Sequence, residues 1–429
     1  MYATAVVAGV VMLPSCESTP GCTDPSALNY NADADEDNGS CSYDAQVKSG
    51  ILSADETWTS DRVWVISGRV VVPDGITLTI EAGTLIKAET GQETNASALI
   101  VARGGKIMAE GTAENPIIFT SILDNIELGQ RVGTNLTRTD NEKWGGVALC
   151  GRAKVSTQSG DTEGNLEGIP ASAGYGVYGG SNDADNSGVM KYVSIRHCGI
   201  SIGEGNELNA LTLCGVGNGT VIENIEIYAT LDDGIECFGG SVDVTNSLVY
   251  YQGDDGIDLD QNYSGTFENF IVIHGDGIGT DKGLEIDGTE GSTYTDGRFV
   301  LRNGLVKSEG QDGTAGDFKD KAQGTIENVT FDYSAKGGSK NLVRAKYDAT
   351  TCAPGTDSFT RLMADLLVFT NIKSIGACPI ELYTSSSACT SELAADQLLA
   401  NTKYNTSGTG GTVSAALFSW TAASARGQL

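Results

Sequence analysis

Between residues 189 and 307 apolar and polar side chains alternate in short runs, at 192–197, 221–228, 244–251, 267–274 and 300–307. A period of two places every second side chain on one face, so each run predicts a short strand with its apolar residues turned inward. The pattern extends upstream. Residues 70–87 hold two alternating strands broken at Asp74-Gly75 and Ala82-Gly83, and residues 99–119 repeat that arrangement. Asn224, Asn246, Asn269, Asn303 and Asn328 recur just ahead of a strand, as an internal asparagine ladder or as turn formers.

A phrase recurs between the strands: Leu231-Asp-Asp-Gly-Ile-Glu236, Gly253-Asp-Asp-Gly-Ile-Asp258 and Asp281-Lys-Gly-Leu-Glu-Ile-Asp287, with a degenerate copy at Gly310-Gln-Asp-Gly313. Its glycines, Gly234, Gly256 and Gly283, lie 22 and then 27 residues apart. Self-similarity at such a period predicts a solenoid in which each copy is one coil. The expected fold class is therefore all-β, a parallel β-helix with capping elements and a short C-terminal helical segment. Trp58 and Trp64, in a lead-in over residues 45–66, suit a cap on the first coil. Helical spacing around Leu393, Leu398 and Leu399, within 385–401, predicts a C-terminal cap that ends near Phe418-Ser-Trp420. Polar stretches at 124–143 and 156–187 read as loops projecting from the coils, the second with tyrosines that could contact a ligand.

Composition narrows the class. The 429 residues are 40% apolar and include 56 glycines, enough for one continuous core interrupted by many turns. A formal net charge of -29 disfavours nucleic acid and anionic membrane surfaces and makes cations the natural partners. Residues 3–13 form an apolar run of signal-peptide length, and no other run approaches a membrane span. Ten cysteines in an exported chain suggest disulfides. Cys22 and Cys41 are the safest pair, framing a small module in which Asp33, Asp35, Asp37 and Asn38 supply the hard oxygen ligands that calcium prefers. One pair among Cys352, Cys378 and Cys389 is expected to clip a loop, while Cys150, Cys198, Cys214 and Cys237 are either buried thiols or links between coils. The expected partition is 1–16 signal peptide, 17–45 acidic module and linker, and 46–429 β-helix.

Three resemblances add expectations. Leu13-Pro-Ser-Cys16 resembles the lipobox of bacterial lipoproteins, which implies acylation of Cys16 and an exported protein, at the outer membrane or cell surface or extracellular, touching the membrane only through its lipid anchor. The module at 22–41 resembles the short acidic repeats akin to thrombospondin type 3 calcium repeats. Residues 50–429, through 98–112, 192–197 and 253–258, resemble the right-handed parallel β-helix of the pectate-lyase-like superfamily and, more narrowly, a group of exported β-helix proteins with no settled function.

Aligned on the glycines, Glu236, Asp258 and Glu285 form one outward column, and Asp233, Asp255 and Asp312 another at the preceding turn. Coils stack about 4.8 Å apart, so like charges repel unless cations or protons offset them. The columns are therefore calcium ligands or caps on turn amides. The same alignment sets Arg196, Tyr228, Tyr251 and His274 in a column that would offer a sugar-binding face. Resemblance to polygalacturonases implies a catalytic alternative: Asp233-Gly-Ile-Glu236 and Asp254-Asp255-Gly-Ile are similar to two of their motifs. Lys282 stands where their histidine would be, however, and their basic run has only Phe318-Lys319 nearby. The leading expectation is a non-catalytic exported protein that binds calcium and presents a surface to a glycan, a surface protein or an outer-membrane complex. The alternatives are a polysaccharide lyase or hydrolase acting on acidic glycans through Asp233, Asp254, Asp255 and His274, and a structural spacer or filament subunit.

Overall fold

In a computed structural model, which describes residues 1, 18–91, 95–203, 206–385 and 387–429, the chain divides into two compact units, 1–44 and 45–429. Cys16, the expected lipidation site, lies outside the described residues.

In the first unit the strands Pro20–Gly21 and Glu36–Asp37 pair in parallel, and a disulfide joins Cys22 to Cys41. Its acidic side chains are occupied by the local backbone. Asp35 Oδ1 accepts the Thr19 N–H, and Asp37 and Asn38 each accept the N–H two residues on, at Gly39 and Ser40. Asp33 is exposed. These four do not converge; the carboxylate clusters among the described residues all lie on the coils of the second unit.

The second unit is a parallel β-helix built on one 24-stranded sheet. In its regular part each coil contributes a long strand, such as Val221–Thr230 or Asp243–Gln252, and a short one, such as Ile235–Phe238 or Ile257–Asp260. The recurrent asparagines lie within the long strands rather than ahead of them. Asn224, Asn246, Asn269, Asn303 and Asn328 all take left-handed backbone, with φ between 54° and 58°, a conformation that asparagine tolerates better than other residues with a Cβ. Each therefore interrupts the strand and turns a corner, so that one long strand supplies two faces of the coil. Their amides also stack: Asn246 Nδ2 donates to Asn224 Oδ1 at 3.1 Å, Asn269 to Asn246 at 2.9 Å, and Asn303 to Asn269. The two readings of these residues, ladder and turn former, are both realised.

Register carries the core. Ile195, Ile227, Val249, Val272, Val306 and Phe331 stack as one interior column. Leu213, Cys237, Leu259, Ile286, Phe318, Val343 and Leu382 form another. Cys150, Cys198, Cys214, Cys237 and Cys378 are buried free thiols, and Cys352 pairs with Cys389.

At the amino end Trp58 and Trp64 stack with ring centroids 5.3 Å apart, both buried. At the other end the helix Thr390–Thr402 begins later than the spacing predicted, just after Cys389 in its disulfide. The short helix Ser358–Met363 was not anticipated; Asp357 and Thr360 form its capping box. The last residues do not close the end of the solenoid as expected. They run back along its flank, where Glu226 accepts the N–H groups of Ala422 and Ala423, both at 2.9 Å, and Gln428 accepts the Tyr228 hydroxyl. There Phe418 and Ala422 bury apolar surface with Tyr228 and Tyr250.

Replacing Asn269 by alanine removes both ladder bonds and leaves a Cβ in left-handed backbone with no compensating amide. The variant should lose about 1–3 kcal/mol of stability in guanidinium unfolding. Asn269→Gly should lose less, because glycine takes that conformation freely.

Candidate cation site and ligand cleft

The aspartates of the repeated phrase cap the turn of the next coil. Asp233 Oδ1 accepts the Asp255 N–H at 2.9 Å, and Asp255 Oδ1 accepts the Lys282 N–H at 2.6 Å. Both are buried, which is incompatible with their expected alternative role as an acid pair open to substrate. Asp254 remains exposed at the rim, within 4.8 Å of Asp232 and Asp233 on one side and of Asp255 and Asp281 on the other. Asp312 does not extend the column, since it accepts the Gly277 N–H instead. Lys282 takes the vacated position. Its Nζ lies 2.5 Å from Asp281, 2.9 Å from Glu285 and 3.9 Å from Asp255. The lysine at the position of the missing histidine is thus engaged by three acids of the chain itself.

Glu236, Asp258 and Glu285 are in register, as the glycine alignment placed them. They face away from the aliphatic interior, but Glu236 and Asp258 are covered and buried. Glu285 separates from the other two electrostatically. Burial alone would raise its carboxyl, yet Lys319 at 3.0 Å and Lys282 hold it below the usual range. Its negative charge is already matched. Among the described residues no lysine or arginine pairs with Asp233, Glu236 or Asp258. Burial first, and then neighbouring carboxylates, push all three well above the ordinary carboxylate range: Asp232 and Asp255 act on Asp233, Asp233 and Asp260 on Glu236, and Asp260, Asp233 and Glu236 on Asp258. Each offers an oxygen within 4.8 Å of the others. Asn209 Nδ2 donates to Glu236, whereas among the described residues no donor reaches Asp258 Oδ1, on a side chain of a residue 7% exposed. Asp233, Glu236 and Asp258, rather than the expected Glu236, Asp258 and Glu285, are the wholly buried carboxylates that could hold a cation.

The expected sugar-binding column does not form. Arg196 registers with Tyr228, Tyr228 with Tyr250, and Tyr250 with Ile273. Tyr251 occupies a left-handed corner, φ 62°, beside that column. His274 lies one column inward, its Nδ1 accepting from the Gln252 side-chain amide at 3.2 Å and its Nε2–H donating to the Tyr333 hydroxyl oxygen at 2.7 Å. Burial, with Lys336 nearby, drops its imidazole to about 3, so it is a neutral core residue rather than a catalytic or surface one. Arg196 is equally enclosed, held by Ser194, the Arg131 carbonyl and Glu226. The returning C-terminal segment and Arg138, whose guanidinium lies 4.4 Å from the Tyr251 ring, cover the face. Tyr178, in the loop read as a ligand contact, is likewise buried and bonded to Gln261.

The open chemistry lies one step further along the short strands. Asp260 and Asp287 follow Asp258 and Glu285 by two residues, on the same outward face. With Glu290, Gln158, Lys319 and Asp320 they line a cavity of about 520 Å³. Burial raises Asp260 to about 6, and burial with the Asp260 charge raises Asp287 to about 9. Sequence reasoning passed over them, although the alternation Asp258-Leu-Asp260 and Glu285-Ile-Asp287 carried the signal.

A family model described as a pectate-lyase-like β-helix domain matches residues 50–424. No curated protein matches. Among solved structures, the deglycosylated pectin methylesterase from Aspergillus niger aligns with 11% identity over 76% of this chain and 79% of its own, with a TM-score of 0.24. A likeness so faint carries no argument.

The raised carboxyls set a pH dependence. Asp232 at about 8, with Asp260 and Asp287, keeps its proton when folded at pH values where the unfolded chain, near about 4, has lost it. The folded state binds more protons, so this stability is complete below about pH 4 and is lost as pH rises through the folded values. In a chelator the thermal midpoint should fall from pH 5 to pH 9, and Asp258→Asn should flatten the fall.

Proposed function

We propose that this chain, which belongs to the pectate-lyase-like β-helix domain family, is an exported calcium-binding protein that presents a cleft on its coils to a glycan. The observation that carries the reading is the buried triad of Asp233, Glu236 and Asp258, with one oxygen lacking a donor among the described residues. Three carboxylates this close are tolerable only if protons or a cation offset their repulsion. A divalent cation does so with direct bonds. Oxygen-only ligands select a hard ion, calcium in preference to zinc. In this reading the ion ties the coil of Glu236 to that of Asp258 and displaces the protons they otherwise retain.

The disulfides Cys22–Cys41 and Cys352–Cys389 support export, since such bonds persist in oxidising compartments. Anchoring through a lipid on Cys16, at the outer membrane or cell surface, completes the reading. The sugar-facing role moves from the enclosed column at Tyr228 to the cleft at Asp260 and Asp287. One observation favours a second reading, catalysis on glycans: Asp260 and Asp287, two carboxyls with different proton affinities lining one cavity, are the parts of a general acid–base pair.

Calcium at one hundred times its dissociation constant contributes about 2.7 kcal/mol. Adding calcium to chelated protein at neutral pH should therefore raise the thermal midpoint by several degrees, and Asp258→Asn should abolish the rise. An unchanged midpoint in the parent protein removes the calcium role.

A further inference from the structure

A cavity of about 440 Å³, within the usual size of a small-ligand site, lies at the ends of the strands Asn341–Arg344 and Ile380–Tyr383. Arg344 and Tyr383 are in register on those strands. Both line the cavity, together with Lys346, Tyr347 and Asp357. None of the carboxylate clusters among the described residues contributes to its wall.

The walls are held from behind. Arg344 forms two hydrogen bonds to Asp317, a fully buried carboxylate, and its guanidinium lies 4.2 Å from the Tyr383 ring centroid. The ring is thereby fixed as a platform, and at 45% exposure it remains open on the cavity side. Tyr347 donates its hydroxyl to Asp396 at 2.8 Å. Asp357 accepts the N–H groups of Ser358 at 2.8 Å and Lys321 at 3.3 Å. The loop between Tyr347 and Asp357 is clipped by the disulfide from Cys352 to Cys389. A site whose groups already sit in place loses little entropy when a ligand arrives.

Charge decides what the platform takes. Arg344 occupies one face of the ring, so its charge opposes a second cation on the other. Lys319 is spent on Glu285 and Asp287, and Asp320 and Asp357 stand on the wall of a chain with net charge -29, which opposes a polyanion. An uncharged ring meets neither objection. A pyranose lays its C–H face on an aromatic ring and keeps its hydroxyls at the rim. Lys346, exposed on the wall, is a donor for such hydroxyls, and the half-buried Asp357 is an acceptor.

We propose that this cavity binds an uncharged pyranose of a neutral glycan, its ring on Tyr383 and its hydroxyls between Lys346 and Asp357. The site goes beyond the cleft at Asp260 and Asp287, being a different cavity for a different class of sugar, although Lys319 and Asp320 border both. It departs from the acidic glycans that the superfamily resemblance implied.

Titration calorimetry on the full chain tests the assignment with two matched pairs of tetrasaccharides, cello-oligosaccharide against glucosamine and galactose against galacturonate. At least one neutral member should bind, at least about tenfold more tightly than its charged counterpart. Tyr383→Ala, at an exposed position, should weaken that binding by about tenfold, whereas Tyr383→Phe, which keeps the platform, should change it by no more than about twofold. Both variants should keep the thermal midpoint of the parent protein. Failure of both neutral probes to bind, tighter binding of a charged counterpart, or neutral binding that survives Tyr383→Ala overturns the assignment. Neutral binding that survives Tyr383→Ala but is lost in Asp260→Asn also overturns it and leaves the Asp260 cleft as the glycan site.

Discussion

The stacking of one coil on the next in strict register is the constraint on which everything else depends. The asparagine corners fix it: each amide reaches the equivalent amide a coil away, and each corner sets where the strand turns. Once register is fixed, every side chain meets the equivalent position about 4.8 Å above and below. For the aliphatic columns this is favourable, since apolar side chains stack closely on one another. For carboxylates it is a conflict that must be resolved locally.

The chain resolves that conflict in three ways within a few coils. At the turns, Asp233 and Asp255 accept backbone N–H groups from the following coil, turning repulsion into a cap. One coil later lysines replace the missing relief, with Lys282 and Lys319 bracketing Glu285. Between those solutions, Glu236 and Asp258 retain the conflict in a buried place, and further along the same strands Asp260 retains it at a cavity. Chemistry concentrates where neither an amide nor a lysine has neutralised the column.

The solenoid was legible because its signals are local and repeated: period-two strands, glycine spacing, asparagines at fixed intervals. Membership of the Glu236 column followed from the same count. Its burial did not, because the segments that cover it, including Asn209 and the loop carrying Tyr178, have no periodicity to read. The aromatic column failed for a definite reason. Left-handed corners at Ala229 and Tyr251 interrupt the strands, so counting along them sets Tyr251 and His274 one place away from their true neighbours. Lys282 was visible throughout, but comparison with a known motif made it look like an absence.

The grip of Glu226 on the N–H groups of Ala422 and Ala423 has a consequence for how the molecule comes apart. A stack of coils ordinarily feels only its nearest neighbours and frays inward from its ends, one coil at a time. Here the last residues are fastened to a coil near the middle. The terminal coils cannot peel away without either releasing that fastening or taking the central coils with them. A one-dimensional array is thereby given a long-range tie.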